Sequence, residues 1–514
     1  MALQNLDELA FRLHADDDVV IAKADVEPGS YSRGGTAVEV PGEVPRGHKL
    51  ATVTIEAGDP VRKYGQIIGF ATRAIRPGEH VHTHNVQYQE FQRDHAFGVD
   101  SRPTEYVPEE RRATFQGYVR PDGRVGTRNY LGVITSVNCS ATAAKMIARQ
   151  VEASGMLDDF PNVDGVCALT HTLGCGSGGP GNEGFEVLRR ALVGYAGHPN
   201  FAGLLVIGLG CEVNQVRDLT EMLKLPEGMP VHAMTIQELG GTRKTVAEGV
   251  RRITEMLPVA NRNRRRAVPA SELVMAMECG GSDAYSGITA NPALGAAADL
   301  LVRHGGTAVF GETTEIYGAE HLLTRRAVSR EVGEKLLERI AWWESYVQRD
   351  GSSINNNPSP GNKAGGLTTI LEKSLGAAAK GGTTDLCDVV RYAEPVTARG
   401  LVFMDTPGYD PVNATGLIAG GAQLMCFTTG RGSAFGCKPA PSLKLATNTP
   451  LYERMTDDMD INCGTIADGH SDVEEMGRVI FERVLAVASG EATKSEELGY
   501  GDEEFVPWHL STVL

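Results

Sequence analysis

The sequence predicts an α/β protein led by a small all-β module, and three observations carry that prediction. Residues 130–135, 163–169 and 204–207 are apolar runs, each followed by a loop bearing Gly, Ser or Asn and then a helical pattern. That succession is the signature of a parallel sheet with crossover helices. Beyond residue 269 the succession repeats, with candidate strands at 273–277, 307–310, 401–403, 423–427 and 443–446 and long helices at 331–346 and 473–488. Residues 1–97 differ: short strand-like runs at 19–22, 51–54 and 67–70 are punctuated by Gly29, Gly34, Gly35, Pro45, Gly47, Gly58 and Gly78.

The predicted organisation is a β module over residues 1–97, a polar linker over 98–115, a middle α/β region over 116–266 and a second α/β region over 267–514. A chain of 514 residues accommodates this, since domains run to roughly 100–200 residues. The basic stretch 261–266 reads as a solvated break between the two α/β regions.

Composition excludes several function classes. A formal charge of −16 argues against nonspecific nucleic-acid binding, which needs a basic face. No window approaches the ~18–20 apolar residues of a membrane span. The N-terminus carries Asp7, Glu8 and Asp16 to Asp18, unlike the basic start and apolar core of a signal peptide. A cytoplasmic enzyme is the expectation. There are nine cysteines, an odd number without a CxxC pair, so a disulfide framework is not expected. Cys139, Cys175, Cys211 and Cys279 each come just after an apolar run.

Chemistry-bearing residues concentrate at loops that follow strands. Glu278-Cys279-Gly280-Gly281-Ser282-Asp283 closes the run 273–277, the place where an open parallel sheet binds ligands. Glu312 and Glu315 follow the run 307–310 and would share one face if a helix began there, as metal ligands or as helix N-terminal carboxylates. In the β module, His48 and Lys49 flank a turn, and His80, His82 and His84 would share one face of a strand. Such imidazoles are metal ligands, acid–base groups or a solvated edge. The glycine-rich loop 174–179 formally contains GxGxxG, but Pro180 follows at once, and no acid stands at the expected distance beyond it. Cys175, Cys211 and Cys279 could converge on iron only if their strands shared a crevice; spacing alone favours packed loop cysteines.

Together, Gly47-His48-Lys49, Lys63-Tyr64-Gly65, the segments 78–85, 208–212 and 278–283, Asn357 to Lys363 and Phe427 to Gly432 resemble the altronate/galactarate dehydratase family along the whole chain. The resemblance implies an N-terminal β-clip (SAF) module, a dimerising middle domain and a C-terminal Rossmann-like domain. It implies a homodimeric, iron-dependent hydro-lyase that converts a sugar acid to a 2-keto-3-deoxy product, with mononuclear iron and an iron–sulfur cluster both open. The histidine segment is similar to the altronate branch; residues 127–137 and 322–328 are similar to the galactarate branch. The site it implies has His48, Lys49, His82 and His84 in catalysis. Arg128, Asn129, Ser282, Asp283, Asn362, Lys363, Lys373, Thr429 and Arg431 would bind substrate. Cys175, Cys211, Cys279, His80 and Glu312 would bind metal. A noncatalytic sugar-acid-binding protein and a nicotinamide oxidoreductase are the competing classes.

Overall fold

A computed structural model describes residues 3–176, 178–349 and 351–510; Ser177 of the glycine-rich loop lies outside them. The N-terminal region is rich in short strands. Ala10–Phe11, Val19–Ala22, Lys49–Ala51 and His80–Val81 form one antiparallel sheet, beside two three-stranded sheets. Its core of Val19, Ile55, Val61, Ile68, Ile75 and Val81 is continuous with Ala319, Leu375 and Ala378 of the C-terminal region. So small a β module buries too little apolar surface by itself, and it completes its core against the helix Ile370–Ala378.

The backbone approach there is close. Gly366, at φ +99, lies where an added Cβ would stand 2.8 Å from the Gly47 carbonyl oxygen. Only glycine meets both demands at once.

The middle region holds a four-stranded parallel sheet in the order Gly165–Leu169, Tyr130–Thr135, Phe201–Gly208, Val231–Thr235. Its strands are apolar on both faces because helices cover both. Leu131 and Val133 pack toward helices Ala141–Glu152 and Thr242–Ala260. Tyr130 and Ile134 pack toward Glu183–Ala196. Within the basic stretch 261–266, Arg262, Arg264 and Arg266 are exposed as expected, but the stretch runs into a strand: Arg265–Pro269 pairs with Thr114–Val119 in an antiparallel sheet, and Arg265 donates to the Gln116, Thr127 and Ala488 carbonyls. Hydrogen bonding to main chain explains why so polar a segment is ordered.

The C-terminal region is built on a seven-stranded sheet, parallel throughout, in the order Leu386–Val390, Gly400–Met404, Thr307–Phe310, Val274–Cys279, Leu424–Thr429, Ser442–Ala446, Ile461–Asn462. The chain runs from Val274–Cys279 to one side and later returns to its other side at Leu424–Thr429. A crevice therefore opens beyond Cys279 and Thr429. No helix among the described residues is long and apolar enough to cross a membrane.

Candidate functional site

The histidines come together through strand pairing. Register pairs Lys49 with Val81 and Leu50 with His80, so His48 lies opposite His82 across the ladder. The strand ends at Val81, however, and His82 to Asn85 form a turn rather than the expected longer strand. Asn85 holds that turn: its amide donates to the His80 carbonyl (2.9 Å) and its Oδ1 accepts from His82 N (2.9 Å). Ligating atoms of His48, His80 and His82 all lie within 4.8 Å of one another. His48 Nδ1 is 3.0 Å from His80 Nε2, and His48 Nε2 is 3.4 Å from the Ala364 carbonyl oxygen, which belongs to the C-terminal region. His82 Nδ1 is buried without a hydrogen-bond partner. His84 is exposed, its ring centroid 5.4 Å from that of His80.

Burial, helped by neighbouring rings, lowers His80 to about 3. Burial and Lys49 lower His82 to about 4, and His48 is lowered for the same two reasons. All three are neutral near pH 7, the form that ligates metal. An orphaned buried nitrogen within a set of neutral imidazoles fits a divalent ion such as iron.

A pH dependence follows. These imidazoles titrate lower folded than unfolded, so the unfolded chain binds more protons between about 6.5 and the folded values. Their contribution to stability is complete above about pH 6.5 and is lost as pH falls toward 3–4. Urea midpoints should therefore drop more steeply between roughly pH 7 and pH 5 in the unsubstituted protein than in a His80→Asn/His82→Asn variant. Parallel pH curves would show that the cluster is not buried neutral.

A second cluster lies at the end of Val274–Cys279. Cys279 Sγ is 3.5 Å from Glu312 Oε2 and 3.7 Å from Glu315 Oε2. Lys380 Nζ donates to Glu312 Oε2 (2.6 Å), and Lys373 Nζ donates to Glu315 Oε1 and Asn357 Oδ1 (both 2.7 Å). Glu312 does not open an α-helix: it takes φ +69 ahead of a 3₁₀ turn, Thr313–Glu315. That is an uncommon conformation for a non-glycine residue, of the kind that clusters at functional sites. Burial, then Glu312 and Asp410, raise the Glu278 carboxyl well above the ordinary range. Burial and Glu312 likewise hold Cys279 as a thiol. Glu278 Oε1 and Glu312 Oε1 are buried and unpartnered. The cluster offers a proton donor, Glu278, and two free carboxyl oxygens. Two lysines already supply cations there, so Cys279 and Glu312 fit divalent iron less well than the histidines do.

Several residues expected at the site are instead occupied elsewhere. Lys49 is fully buried and donates to both Glu372 oxygens (3.0 and 2.9 Å) and to the Gly366 carbonyl (2.6 Å); its three donors are used, so it cannot reach a substrate carboxylate. Arg128 is bidentate to Glu496 and also binds the Val487 and Glu491 carbonyls. Asn129 is enclosed by Arg120, Asn162, Asp164, Ala260 and Asn263. Both join segments distant in sequence and stand away from the crevice loops.

Asp283 accepts from the main-chain N–H groups of Tyr285 and Ser286 and from Thr447 and Asn448, while Ser282 offers its carbonyl to Asn362. Thr429 Oγ1 accepts from Gly432 N. The side chains of Asp283, Asn362 and Thr429 are thus engaged in holding the crevice segments together, whereas Ser282 contributes its carbonyl. Lys373 is tied to Glu315. Among the described residues, Lys363 and Arg431 have no carboxylate within ion-pair distance; Lys363 lies in the last turn of the short helix Pro360–Ala364, and Arg431 in the loop after Leu424–Thr429. Cys175 and Cys211 follow strands of the four-stranded sheet and Cys279 ends a strand of the seven-stranded one, so the three thiols do not share a crevice.

Sequence reasoning missed Glu372 and Lys380. Neither stands in a recognisable pattern; their partners are 323, 309 and 68 positions away. The only signal was Lys63 inside a quoted motif without an assigned role.

Arg128 separates the two readings experimentally. Arg128→Met should cost about 3 kcal/mol of stability, because it strands buried acceptors, and leave KM for substrate unchanged. A raised KM at unchanged stability would restore a substrate role.

Three family models match the chain in order: the altronate/galactarate dehydratase SAF domain over residues 8–89, the D-galactarate dehydratase/altronate hydrolase second domain over 117–261, and the D-galactarate/altronate dehydratase C-terminal domain over 270–513. The chain is 40% identical over 495 residues to galactarate dehydratase (L-threo-forming) of Escherichia coli strain K12, covering 95% of this chain and 94% of that protein. It is 35% identical over 488 residues to altronate dehydratase of Bacillus subtilis strain 168, covering 95% and 96%. It is 33% identical over 396 residues to the (2R)-sulfolactate sulfo-lyase subunit beta of Chromohalobacter salexigens, covering 76% and 96%. The matched models span the β module with its histidines, the middle sheet and the crevice sheet, so the chain belongs to the D-galactarate/altronate dehydratase family.

Proposed function

We propose that the protein is a hydro-lyase that removes water from a sugar acid of the altronate type, giving a 2-keto-3-deoxy acid. The observation that carries this reading is the cluster of neutral histidines on the β module, held against Ala364 at the end of the helix Pro360–Ala364 in the crevice region. Relatives that match nearly the whole chain bear dehydratase names. Galactarate is the second reading, favoured by the 40% identity to the galactarate enzyme.

His48, His80 and His82 would hold iron; when bound, it supplies Lewis acidity toward the oxygens of a hydroxy acid. His84, exposed beside them, is the imidazole left to take the proton from C2. Removing that proton places a second negative charge on the carboxylate, which fixed cations stabilise. Lys363 and Arg431 are the cations available for this. The 3-hydroxyl leaves with a proton, and the protonated Glu278 carboxyl is a donor in the crevice. The C2–H and C3–O bonds break, a C2–C3 double bond forms, and the enol becomes the ketone.

The crevice sheet reads as Rossmann-like, although its use here calls for no nicotinamide. A homodimer acting in the cytoplasm completes the reading.

The test is anaerobic incubation with ferrous iron and altronate, galactarate and other aldonic and aldaric acids, followed by assay of 2-keto-3-deoxy acids. Product from one acid names the substrate. Absence of product from every acid, with binding retained, would favour a noncatalytic binding protein, and nicotinamide reduction would favour an oxidoreductase.

A further inference from the structure

Glu278 is the proton donor of the proposed dehydration, and a chain of hydrogen bonds with a fixed direction ends on it. The chain starts at the main-chain N–H of Glu312, which donates to Thr406 Oγ1 (2.6 Å). Thr406 Oγ1 donates to Asn413 Oδ1 (2.5 Å), and Asn413 Nδ2 donates to Glu278 Oε2. Glu278, Thr406 and Asn413 are each fully buried, so bulk water does not compete along the chain.

The direction follows from what each group can give. A peptide N–H only donates, so Thr406 accepts there and its own hydrogen needs another acceptor. Among the described residues that acceptor is Asn413 Oδ1. A reversed amide would aim Nδ2 at Thr406 and leave the buried hydroxyl hydrogen unsatisfied, which native interiors avoid. Asn413 therefore presents its NH2 group to Glu278, and Oε2 is an acceptor.

Glu278 thus has two unlike oxygens. Oε2 is taken by Asn413, whereas Oε1 is buried with no hydrogen-bond partner. A protonated carboxyl whose Oε2 accepts carries its hydrogen on Oε1. The surrounding chain makes room for this arrangement. An added Cβ at Gly311 would overlap both Asn413 Oδ1 and Thr406 Oγ1, so the pair needs glycine there. Asn413 itself lies in the helix Asp410–Ala419, among Val412, Ala414, Leu417 and Ile418. Asparagine is a weaker helix former than its apolar neighbours Ala and Leu, so a buried amide at this position serves its hydrogen bonds rather than the helix.

We propose that Asn413 is a positioning residue of the dehydration: by engaging Glu278 Oε2 it leaves Oε1 as the oxygen that serves the departing 3-hydroxyl. This rests on the dehydratase reading and deepens it. In that step the Oε1–H bond breaks and its proton goes to the hydroxyl oxygen, which leaves as water with the C3–O electron pair. The carboxylate left behind keeps the Asn413 donor on Oε2, so the same amide stabilises charge that develops as the bond breaks. Asn413 acts through Glu278, by orienting it before the reaction.

Infrared difference spectra between the full-length protein and Glu278→Gln isolate the carbonyl stretch of the protonated Glu278 carboxyl and need no turnover. Asn413→Leu, similar in shape, should move that band to higher frequency, because the carbonyl loses its donor. Thr406→Val should broaden it, because the amide is then free to turn; this variant carries the test if Asn413→Leu does not fold. With altronate, galactarate and the other acids of the panel as substrates, Asn413→Leu should lower kcat about tenfold at unchanged KM, the scale of one neutral hydrogen bond lost from the transition state. No carboxyl band in the unsubstituted protein, or a band unaltered in both variants, would overturn the hydrogen-bond assignment. An altered band with unchanged kcat, or with KM alone raised, would overturn the positioning role. An altered band in a protein that dehydrates no acid of the panel would overturn the dehydratase reading, and the positioning role with it, while leaving the Asn413–Glu278 contact established.

Discussion

His84→Ala is expected to lower dehydration turnover by about 10²–10⁴-fold, the usual contribution of a positioned acid–base group. Iron content should remain unchanged. His84 is exposed and sits in a turn held by Asn85, so its removal leaves no cavity and no broken pair. His48→Ala should behave differently and lose iron together with turnover, because His48 contacts His80 and the Ala364 carbonyl from the centre of the cluster. Metal analysis of both variants beside kcat separates the roles. If His84→Ala turns over normally, the proton acceptor is another group, and the unpartnered Glu312 oxygen becomes the next candidate.

Glu372→Ala is expected to have the largest effect on stability. Glu372 is the one carboxylate bound by both Lys49 and Lys63, all three fully or almost fully buried, and it ties the β module to the helix Ile370–Ala378. Although burial pushes its carboxyl up, the two ammoniums together hold it well below the ordinary carboxylate range. Burial in turn draws Lys49 down to about 8. One carboxylate cannot fully balance two buried ammoniums.

Removing it strands both lysines, and breaking a buried pair in this way costs about 3–5 kcal/mol. Urea denaturation should show that loss, and limited proteolysis should cut sooner in the segment that leaves the β module. A Lys49→Met/Lys63→Met/Glu372→Leu variant should recover most of the loss, since apolar replacement of a whole buried ion cluster is often neutral. If Glu372→Ala is within about 1 kcal/mol of the unsubstituted protein, the triad is not what fastens the module. The carboxylate's own contribution is present above its unfolded pKa of about 4.3 and is lost as pH falls below it toward the depressed folded value.

The local features of this molecule were legible in the chain. Residues 130–135 and 307–310 are strands at the expected bounds because β-branched and apolar runs between glycine-bearing loops have few other ways to be buried. The loop through Gly280 to Asp283 opens at a strand's carboxyl end as expected, although Glu278 and Cys279 are the last two residues of that strand rather than the start of the loop. The short period of His80 and His82 correctly put two imidazoles on one side, whereas the strand was drawn too long because the Asn85 turn competes with it. The family signatures, too, are local strings.

Long-range pairing was not legible. Nothing within a few residues of Lys49 announces a carboxylate at position 372, and nothing near Arg128 announces one at 496. Both cations looked available for a substrate, and folding spends their donors on buried partners. The cysteines make the same point. Linear spacing singles out Cys175, Cys211 and Cys279 as easily as any other three, and only the strand order sets Cys139 beside Cys175 and sends Cys279 to another sheet. The sequence alone thus determined which segments become strands, which loops carry reactive groups and to which family the chain belongs. Tertiary structure decided which of those groups remain free, because hydrogen-bond donors and thiols are allotted by proximity in space, and strand order, not chain order, sets that proximity.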